Sequence, residues 1–116
     1  MSIAAQTLTL RRPDDWHLHV RDGAQLAAVV PFTARQFARA LVMPNLRPPM
    51  TTTTALAAYR QRILAAVPAG VSFAPQMTLY LTDDTSVGEI RAARASGFVV
   101  GASSIRPAPP PIPTLA

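Results

Sequence analysis

The sequence predicts an α/β fold in which β-strands and helices alternate along the chain. Three observations support this: short apolar runs, a helical three-to-four spacing of apolar residues between two of them, and glycine or proline at the segment ends. Strands that alternate with helices are typical of parallel βα units. A closed (β/α)8 barrel typically needs about 250 residues, and this chain has 116. The pattern therefore fits either a small open α/β domain or the first part of a larger one.

The amino-terminal part predicts two strands and a helical region. Alternating leucines predict an opening strand over 7–11, which Pro13 ends. A second strand is expected over 15–22, where apolar and polar residues alternate. Residues 24–37 are expected to be helical, with Pro31 dividing them into a helix and a second short helical piece.

The middle of the chain predicts a strand, a loop and a helix. The apolar run 39–45 is typical of a strand buried on both faces of a parallel sheet, and two prolines make 46–50 a loop. Threonines 51–54 offer N-caps for the helix, which ends before Pro68. The apolar stripe of this helix consists of Leu56, Tyr59, Ile63 and Val67.

The last predicted unit repeats this order. Residues 72–82 alternate as a strand, and the polar residues 83–85 are expected to cap a helix over 87–96. Gly97 is expected to end that helix, and a fourth strand begins at Phe98.

Composition argues against several functional classes. The net charge of +5 comes from eleven scattered arginines and no lysine, and the chain has only one Trp, two Tyr and four Phe, so nucleic-acid binding is not expected. The absence of cysteine excludes a disulfide framework and a thiolate metal site. No stretch has membrane-spanning length or the form of a signal peptide. We expect a cytoplasmic protein without a membrane partner.

The segment 15–22 carries the main chemical signal. As a strand it places His17, His19 and Arg21 on one side. Two imidazoles one strand step apart can bind a single metal ion, and a guanidinium one step further can hold an anion. An isolated His-x-His pair is more often an ordinary surface or core feature. The continuing polar face and the apolar opposite side leave a metal site and an ordinary histidine pair as equal alternatives here. That opposite side consists of Trp16, Leu18 and Val20.

Longer motifs in the sequence identify a protein family more specifically than this histidine pair does. They are RRPDDWHLH with RDG at 11–23, VMPNL with PP at 42–49, YRQRIL at 59–64, VPAG at 67–70, and MT with YLTD at 77–83. Together they resemble the amino-terminal part of the bacterial single-domain dihydroorotases, members of the amidohydrolase superfamily. The resemblance runs from about Leu8 to Ala102.

The resemblance implies a fold, an activity and roles for individual residues. It implies the first part of a (β/α)8 TIM barrel, about three and a half βα units, and two zinc ions in the complete site. It implies reversible hydrolysis of (S)-dihydroorotate, a small-molecule substrate, to N-carbamoyl-L-aspartate in pyrimidine biosynthesis, and allows a homodimer. His17 and His19 match ligands of the more buried zinc. The substrate-binding matches are His19, Val20, Arg21 and Asn45.

The resemblance stops after Ala102. Where the family has a lysine that bridges both metals, this chain has Ser103, and the later catalytic aspartate is not found. No catalytic residue is therefore retained, and the 116-residue chain is expected to be inactive. The predicted organisation is a barrel-like part over 1–102 and a Pro-rich, disordered tail over 103–116.

Two explanations account for the Pro-rich tail. It could be a polyproline ligand, in which case the chain is a non-catalytic soluble fragment or binding module. The second explanation is a frameshift. For one choice of codons encoding the family word AKLYPAGATTNSDAG, deleting one A from the lysine codon yields residues 102–115 of this chain. We favour the frameshift, because a sequence motif of the family, read in a shifted frame, then accounts for nearly the whole tail.

Overall fold

The computed structural model describes residues 4–104, in which strands and helices alternate. The helices are α1 (Ala24–Gln36), α2 (Thr53–Ala65) and α3 (Val87–Ser96). The strands are β1 (Asp14–Leu18), β2 (Arg39–Val42), β3 (Ala74–Tyr80) and β4 (Val99–Ser103). The strands form one parallel sheet in the order β1-β2-β3-β4. This arrangement confirms the prediction of an α/β fold built from about three and a half parallel βα units.

The core lies between the central strands and α2. Leu56, Tyr59 and Ile63 of the predicted stripe have no exposed surface, which confirms that this face of α2 packs inward. Val67 follows the end of α2 and is partly buried against the same core. Each such side chain stabilises the fold by roughly 1.5–3 kcal/mol through removal of apolar surface from water. Opposite them lie the buried Ala40, Val42 and Met77 of β2 and β3.

The predicted opening strand over 7–11 is wrong. This segment contains no strand, and Leu8 and Leu10 are 81% and 72% exposed. Alternation produces a strand only where a neighbouring strand can accept its backbone hydrogen bonds, and none among residues 4–104 does so here. Directly after this segment, the guanidinium of Arg12 donates to the backbone carbonyls of Ala34 and Ser72.

The predicted division of the first helix at Pro31 is also wrong, because α1 continues through the proline. A proline inside a helix removes one backbone hydrogen bond. Val30 and Ala34, on either side of it, are completely buried, and Thr33 is nearly so. Their packing against the core keeps both halves of α1 in one helix despite the missing bond.

The carboxyl-terminal end of α3 was predicted correctly, and its N-cap was predicted wrongly. Gly97 adopts a left-handed conformation at φ +79° and ends the helix as predicted. The N-cap is Ser86, whose Oγ accepts the backbone N–H of Glu89 at 3.0 Å, and not one of residues 83–85. Those residues form a turn in which the hydroxyl of Thr85 accepts the backbone N–H of Thr82 at 2.9 Å.

The predicted fourth strand is confirmed as β4, which begins at Val99 and includes Ser103, the first residue of the predicted tail, paired with Tyr80. Residues 105–116 of the predicted Pro-rich tail lie outside the described residues. The frameshift and polyproline interpretations of that tail therefore stay predictions.

Replacing Gly97 with alanine should destabilise the fold by about 1–2 kcal/mol, because a Cβ disfavours the left-handed conformation. Gly88 provides a matched control inside α3. A Cβ there would meet only the Ser86 hydroxyl, at 3.8 Å, so Gly88→Ala should leave stability unchanged or raise it by up to about 1 kcal/mol. Urea unfolding followed by circular dichroism would measure both. Equal effects of the two substitutions would contradict the assigned helix end.

Candidate metal and carboxylate site

The first strand is shorter than predicted, which changes the placement of the candidate ligands. His17 lies inside β1, whereas His19 follows its last residue, Leu18. The pairing with β2 is irregular between Asp15 and Leu18. There the backbone N–H of His17 donates to the carboxylate of Asp15 at 3.0 Å. This local turn of the backbone positions His17 at the edge of the described sheet.

The two histidines nevertheless come together as predicted. Their Nε2 atoms are 3.0 Å apart, and the ring centroids are separated by 4.8 Å. Two nitrogens bound to one tetrahedral zinc ion would lie about 3.3 Å apart, given zinc–nitrogen distances of about 2.0–2.1 Å. The observed separation is that of a hydrogen bond between the two rings and is close to the value for two imidazoles that share one metal ion. Both rings are exposed and accessible to such an ion.

These histidines form only part of a donor set. Catalytic zinc sites usually have three protein ligands and a water molecule. Among residues 4–104, no group of three or more His, Cys, Asp or Glu side chains is arranged to hold a metal ion. The described residues therefore fit the role of a two-histidine contribution to a site.

A cavity of about 580 Å³ adjoins the histidine pair, where the chain leaves β1 and β2. Its size falls in the usual range for small-molecule sites. It brings together all four residues predicted to bind substrate, His19, Val20, Arg21 and Asn45, although they come from two separate loops. The other lining residues are Asp22, Gln25, Met43, Leu46, Arg47, Pro48 and Met50.

Val20 differs from the other three predicted substrate-binding residues. Its side chain is only 4% exposed and belongs to the hydrophobic core. Its carbonyl oxygen accepts a hydrogen bond from the hydroxyl of Tyr59 at 2.5 Å. Burial raises the pKa of Tyr59, so its hydroxyl stays protonated and able to donate. Val20 thus fixes the backbone between His19 and Arg21.

A second contact holds the same loop. The guanidinium of Arg62 on α2 donates to both carboxylate oxygens of Asp22, at 2.7 and 3.0 Å. This hydrogen bonding holds the pKa of Asp22 below its usual value. Asp22 also accepts the backbone N–H of Gly23 at 3.0 Å, where φ is +74°. The only carboxylate that residues 4–104 contribute to the cavity lining is therefore already paired with a cation.

Sequence reasoning missed two residues of this region. Tyr59 was interpreted only as part of an apolar stripe, and nothing in the local pattern indicates that its hydroxyl reaches a loop 39 positions earlier. Arg47 was assigned to a loop without a role, yet it lines the cavity together with Arg21 and Asn45. The VMPNL and PP motifs on either side of it gave no signal that this residue would line a cavity.

Within the described residues, a parallel βα sheet with paired histidines and a polar cavity beyond its strand ends has the features of an α/β protein with a ligand site at that edge. Comparisons of sequence narrow this class. The chain is 72% identical to the dihydroorotase of Cupriavidus taiwanensis over 96 residues, which are 83% of this chain and 28% of that protein. It is 73% identical to the dihydroorotase of Leptothrix cholodnii over 93 residues, 80% of this chain and 27% of that protein.

Comparisons of structure agree. A crystal structure of dihydroorotase from Campylobacter jejuni superposes with a TM-score of 0.77 and 33% identity, covering 90% of this chain and 30% of that one. Dihydroorotase from Saccharomyces cerevisiae in complex with 5-fluoroorotic acid gives a TM-score of 0.70 and 30% identity, covering 78% and 24%. No family model matches the chain. Over the matched residues the chain belongs to the dihydroorotase family.

The chain spans little more than a quarter of the length of the curated relatives it matches. The activity and substrates of a complete dihydroorotase are therefore proposals for this chain. None of the helices within residues 4–104 is long and apolar enough to cross a membrane.

The paired Asp22 carboxylate predicts a contribution to acid stability. Because the folded-state pKa of Asp22 is lowered, the ion pair stabilises the fold at pH values above the pKa of the unfolded chain, near 3.8. This contribution to stability is lost as the pH falls through the folded-state pKa. The unfolding free energy of Asp22→Asn should therefore decrease less between about pH 5 and pH 2 than that of the wild type. Denaturant titrations at several pH values would measure the change. Asp83→Asn, in the turn after β3, is the control and should retain the wild-type profile.

Proposed function

We propose that this chain supplies the first metal-binding and substrate-binding residues of a zinc-dependent dihydroorotase, which interconverts (S)-dihydroorotate and N-carbamoyl-L-aspartate in pyrimidine biosynthesis. The observation that carries the proposal is the 3.0 Å approach of the His17 and His19 Nε2 atoms beside a polar cavity. The cavity lies where the strands of parallel α/β folds usually present ligand-binding residues. The high identity to curated dihydroorotases supports the same assignment.

His17 and His19 would hold the zinc ion through their Nε2 atoms. Zinc, when bound, polarises a carbonyl oxygen and lowers the pKa of a bound water molecule. Each imidazole must be neutral to bind the metal, so metal binding should weaken as the pH falls. The exposed position of both rings leaves room for further ligands and for the reacting amide.

Arg21 and Asn45 would orient the substrate through its carboxylate. Both line the cavity, and Arg21 has no ion pair among residues 4–104. A guanidinium can form two parallel charge-assisted hydrogen bonds to a carboxylate, and an amide nitrogen adds a neutral one. His19 and Arg21 are the neighbours in sequence of Val20, whose backbone is anchored by Tyr59. The metal and carboxylate contacts are thus held in a defined spacing.

Catalysis is proposed to need groups that the described residues do not supply. Ser103, the residue at the position of the family's bridging lysine, lies in β4 beside Tyr80. A serine hydroxyl lacks the amine that a carboxylated lysine requires. A cytoplasmic location and a homodimer stay predictions for the complete protein.

Metal binding tests the proposed role of the two histidines. The 116-residue chain should bind zinc at one site per chain, and His17→Ala, His19→Ala or both should abolish that binding, because a single imidazole is a weak ligand. Nitrogen-15 NMR of the imidazoles during zinc titration would show both Nε2 signals shift together. Asp83→Asn should titrate like the wild type. Equal zinc binding by the wild type and the double-alanine variant would refute the site.

Activity gives a separate prediction. The purified chain, loaded with zinc, should show no ring opening of (S)-dihydroorotate and no ring closure of N-carbamoyl-L-aspartate, because two histidines are an incomplete ligand set. The absorbance change of the dihydroorotate ring would follow the reaction in both directions. Turnover that disappears in the presence of a chelator would show that the chain is sufficient for catalysis and would overturn this prediction.

A further inference from the structure

Glu89 accepts a hydrogen bond from a helix other than its own. Ser86 and Glu89 have the S-x-x-E spacing of a capping box, in which the glutamate usually accepts the backbone N–H of the N-cap residue. The serine half of the box is formed, because the Oγ of Ser86 accepts the backbone N–H of Glu89 at 3.0 Å. The carboxylate of Glu89, however, accepts the backbone N–H of Thr53, the first residue of α2, at 2.5 Å. A side chain of α3 therefore caps the neighbouring helix.

This contact gives α2 a second cap. Thr52, the N-cap of α2, accepts the backbone N–H of Ala55 at 3.1 Å. The N–H of Thr53 is one of the first four in the helix, which have no acceptor within the helix itself, and Glu89 supplies that acceptor. The hydrogen bond from Thr53 holds the pKa of Glu89 below its usual value. The carboxylate is therefore ionised at neutral pH, and its negative charge is favoured beside the first turn of a helix.

The helix that Glu89 caps begins directly after the loop that contributes Asn45 to the cavity. The backbone N–H of Met50 donates to the carbonyl of Pro44 at 2.9 Å, which closes this loop around Asn45. The carbonyl of Met50 accepts the backbone N–H of Tyr80 at 2.9 Å, which attaches the loop to β3. The contact with Glu89 lies three residues further along. The end of the loop is thus held by two contacts from the next strand and helix of the chain.

We propose that Glu89 is a positioning residue for ligand binding, because it holds the start of α2 and with it the loop on which Asn45 lies. The inference rests on the proposed function for the role of Asn45 toward a carboxylate ligand. Glu89 itself lies outside the described lining of the cavity. It acts on the ligand only through the position of the Asn45 amide. A glutamate that capped α3 alone would leave the loop without this contact.

Hydrogen exchange of the 116-residue chain, followed by NMR, tests the positioning. Glu89→Ala should speed exchange of the backbone amides of Met50 and Thr53 about 10-fold or more, since hydrogen bonds to charged groups are the strong ones. Glu89→Gln should restore much of the protection, because its amide oxygen can still accept the N–H of Thr53. Ser86→Ala is the matched control. It removes the N-cap of α3 and should speed exchange of Ile63, in the buried part of α2, without the local effect on Met50 and Thr53.

Ligand binding tests whether the loop position matters to the cavity. Isothermal titration of the zinc-loaded chain with (S)-dihydroorotate would measure the affinity. Asn45→Ala and Glu89→Ala should each weaken binding by about 2- to 10-fold, the effect of one hydrogen bond. Because Glu89 acts through Asn45, the double variant should bind about as weakly as Asn45→Ala alone. Ser86→Ala should bind like the wild type, and Glu89→Gln should bind more tightly than Glu89→Ala.

The outcomes separate this inference from the proposed function. If Asn45→Ala weakens binding while Glu89→Ala matches the wild type, the inference is wrong and the proposed function stands. Equal losses in Ser86→Ala and Glu89→Ala would show that Glu89 acts only through overall stability, and fully additive losses in the double variant would show that it does not act through Asn45. Either result overturns the inference alone. Absence of binding to the wild-type chain contradicts the proposed function as well.

Discussion

The hydrogen bond from Tyr59 to the carbonyl of Val20 connects the hydrophobic core with the candidate site. Tyr59 is completely buried, and burial keeps its hydroxyl protonated. Three positions later on the same helix, Arg62 holds Asp22 through two hydrogen bonds. The packing of α2 therefore fixes alternate residues of the loop after β1. His19, which precedes Val20, and Arg21, which lies between Val20 and Asp22, are left to present their side chains to the cavity.

The elements predicted correctly are those that local chemistry determines. Gly97 ends α3 because a left-handed residue without a Cβ is favoured there, and the stripe of α2 is buried because its spacing matches the helical period. The failures involve contacts between distant segments. The segment 7–11 alternates like a strand and has no neighbouring strand within the described residues. Pro31 should break a helix, yet burial of Val30 and Ala34 outweighs one missing hydrogen bond.

The same distinction applies to the candidate site. The approach of His17 and His19 could be predicted because residues two apart in an extended chain share a side, and the 3.0 Å between their Nε2 atoms agrees with it. The location of Asn45 beside Arg21 came only from the family resemblance. The position of Arg47 in the cavity depends on the path of the loop after β2, and the role of Tyr59 depends on a contact across 39 positions. Periodicity contains no information about either.

Of the candidate metal ligands, His17 lies on an edge strand of the described sheet, and His19 directly follows that strand. Within residues 4–104, β1 pairs only with β2, and that pairing is irregular around His17. Its neighbour Trp16 is 58% exposed, with the guanidinium of Arg39 over its ring at 5.4 Å. A metal ion held by both histidines would join the end of β1 to the anchored loop at Val20. Binding of the ion would then stabilise this edge by mass action, so the order of β1 and the affinity for metal are thermodynamically linked. The anchored loop would thus be the fixed side of such a site, and a bound ion would stabilise the edge strand.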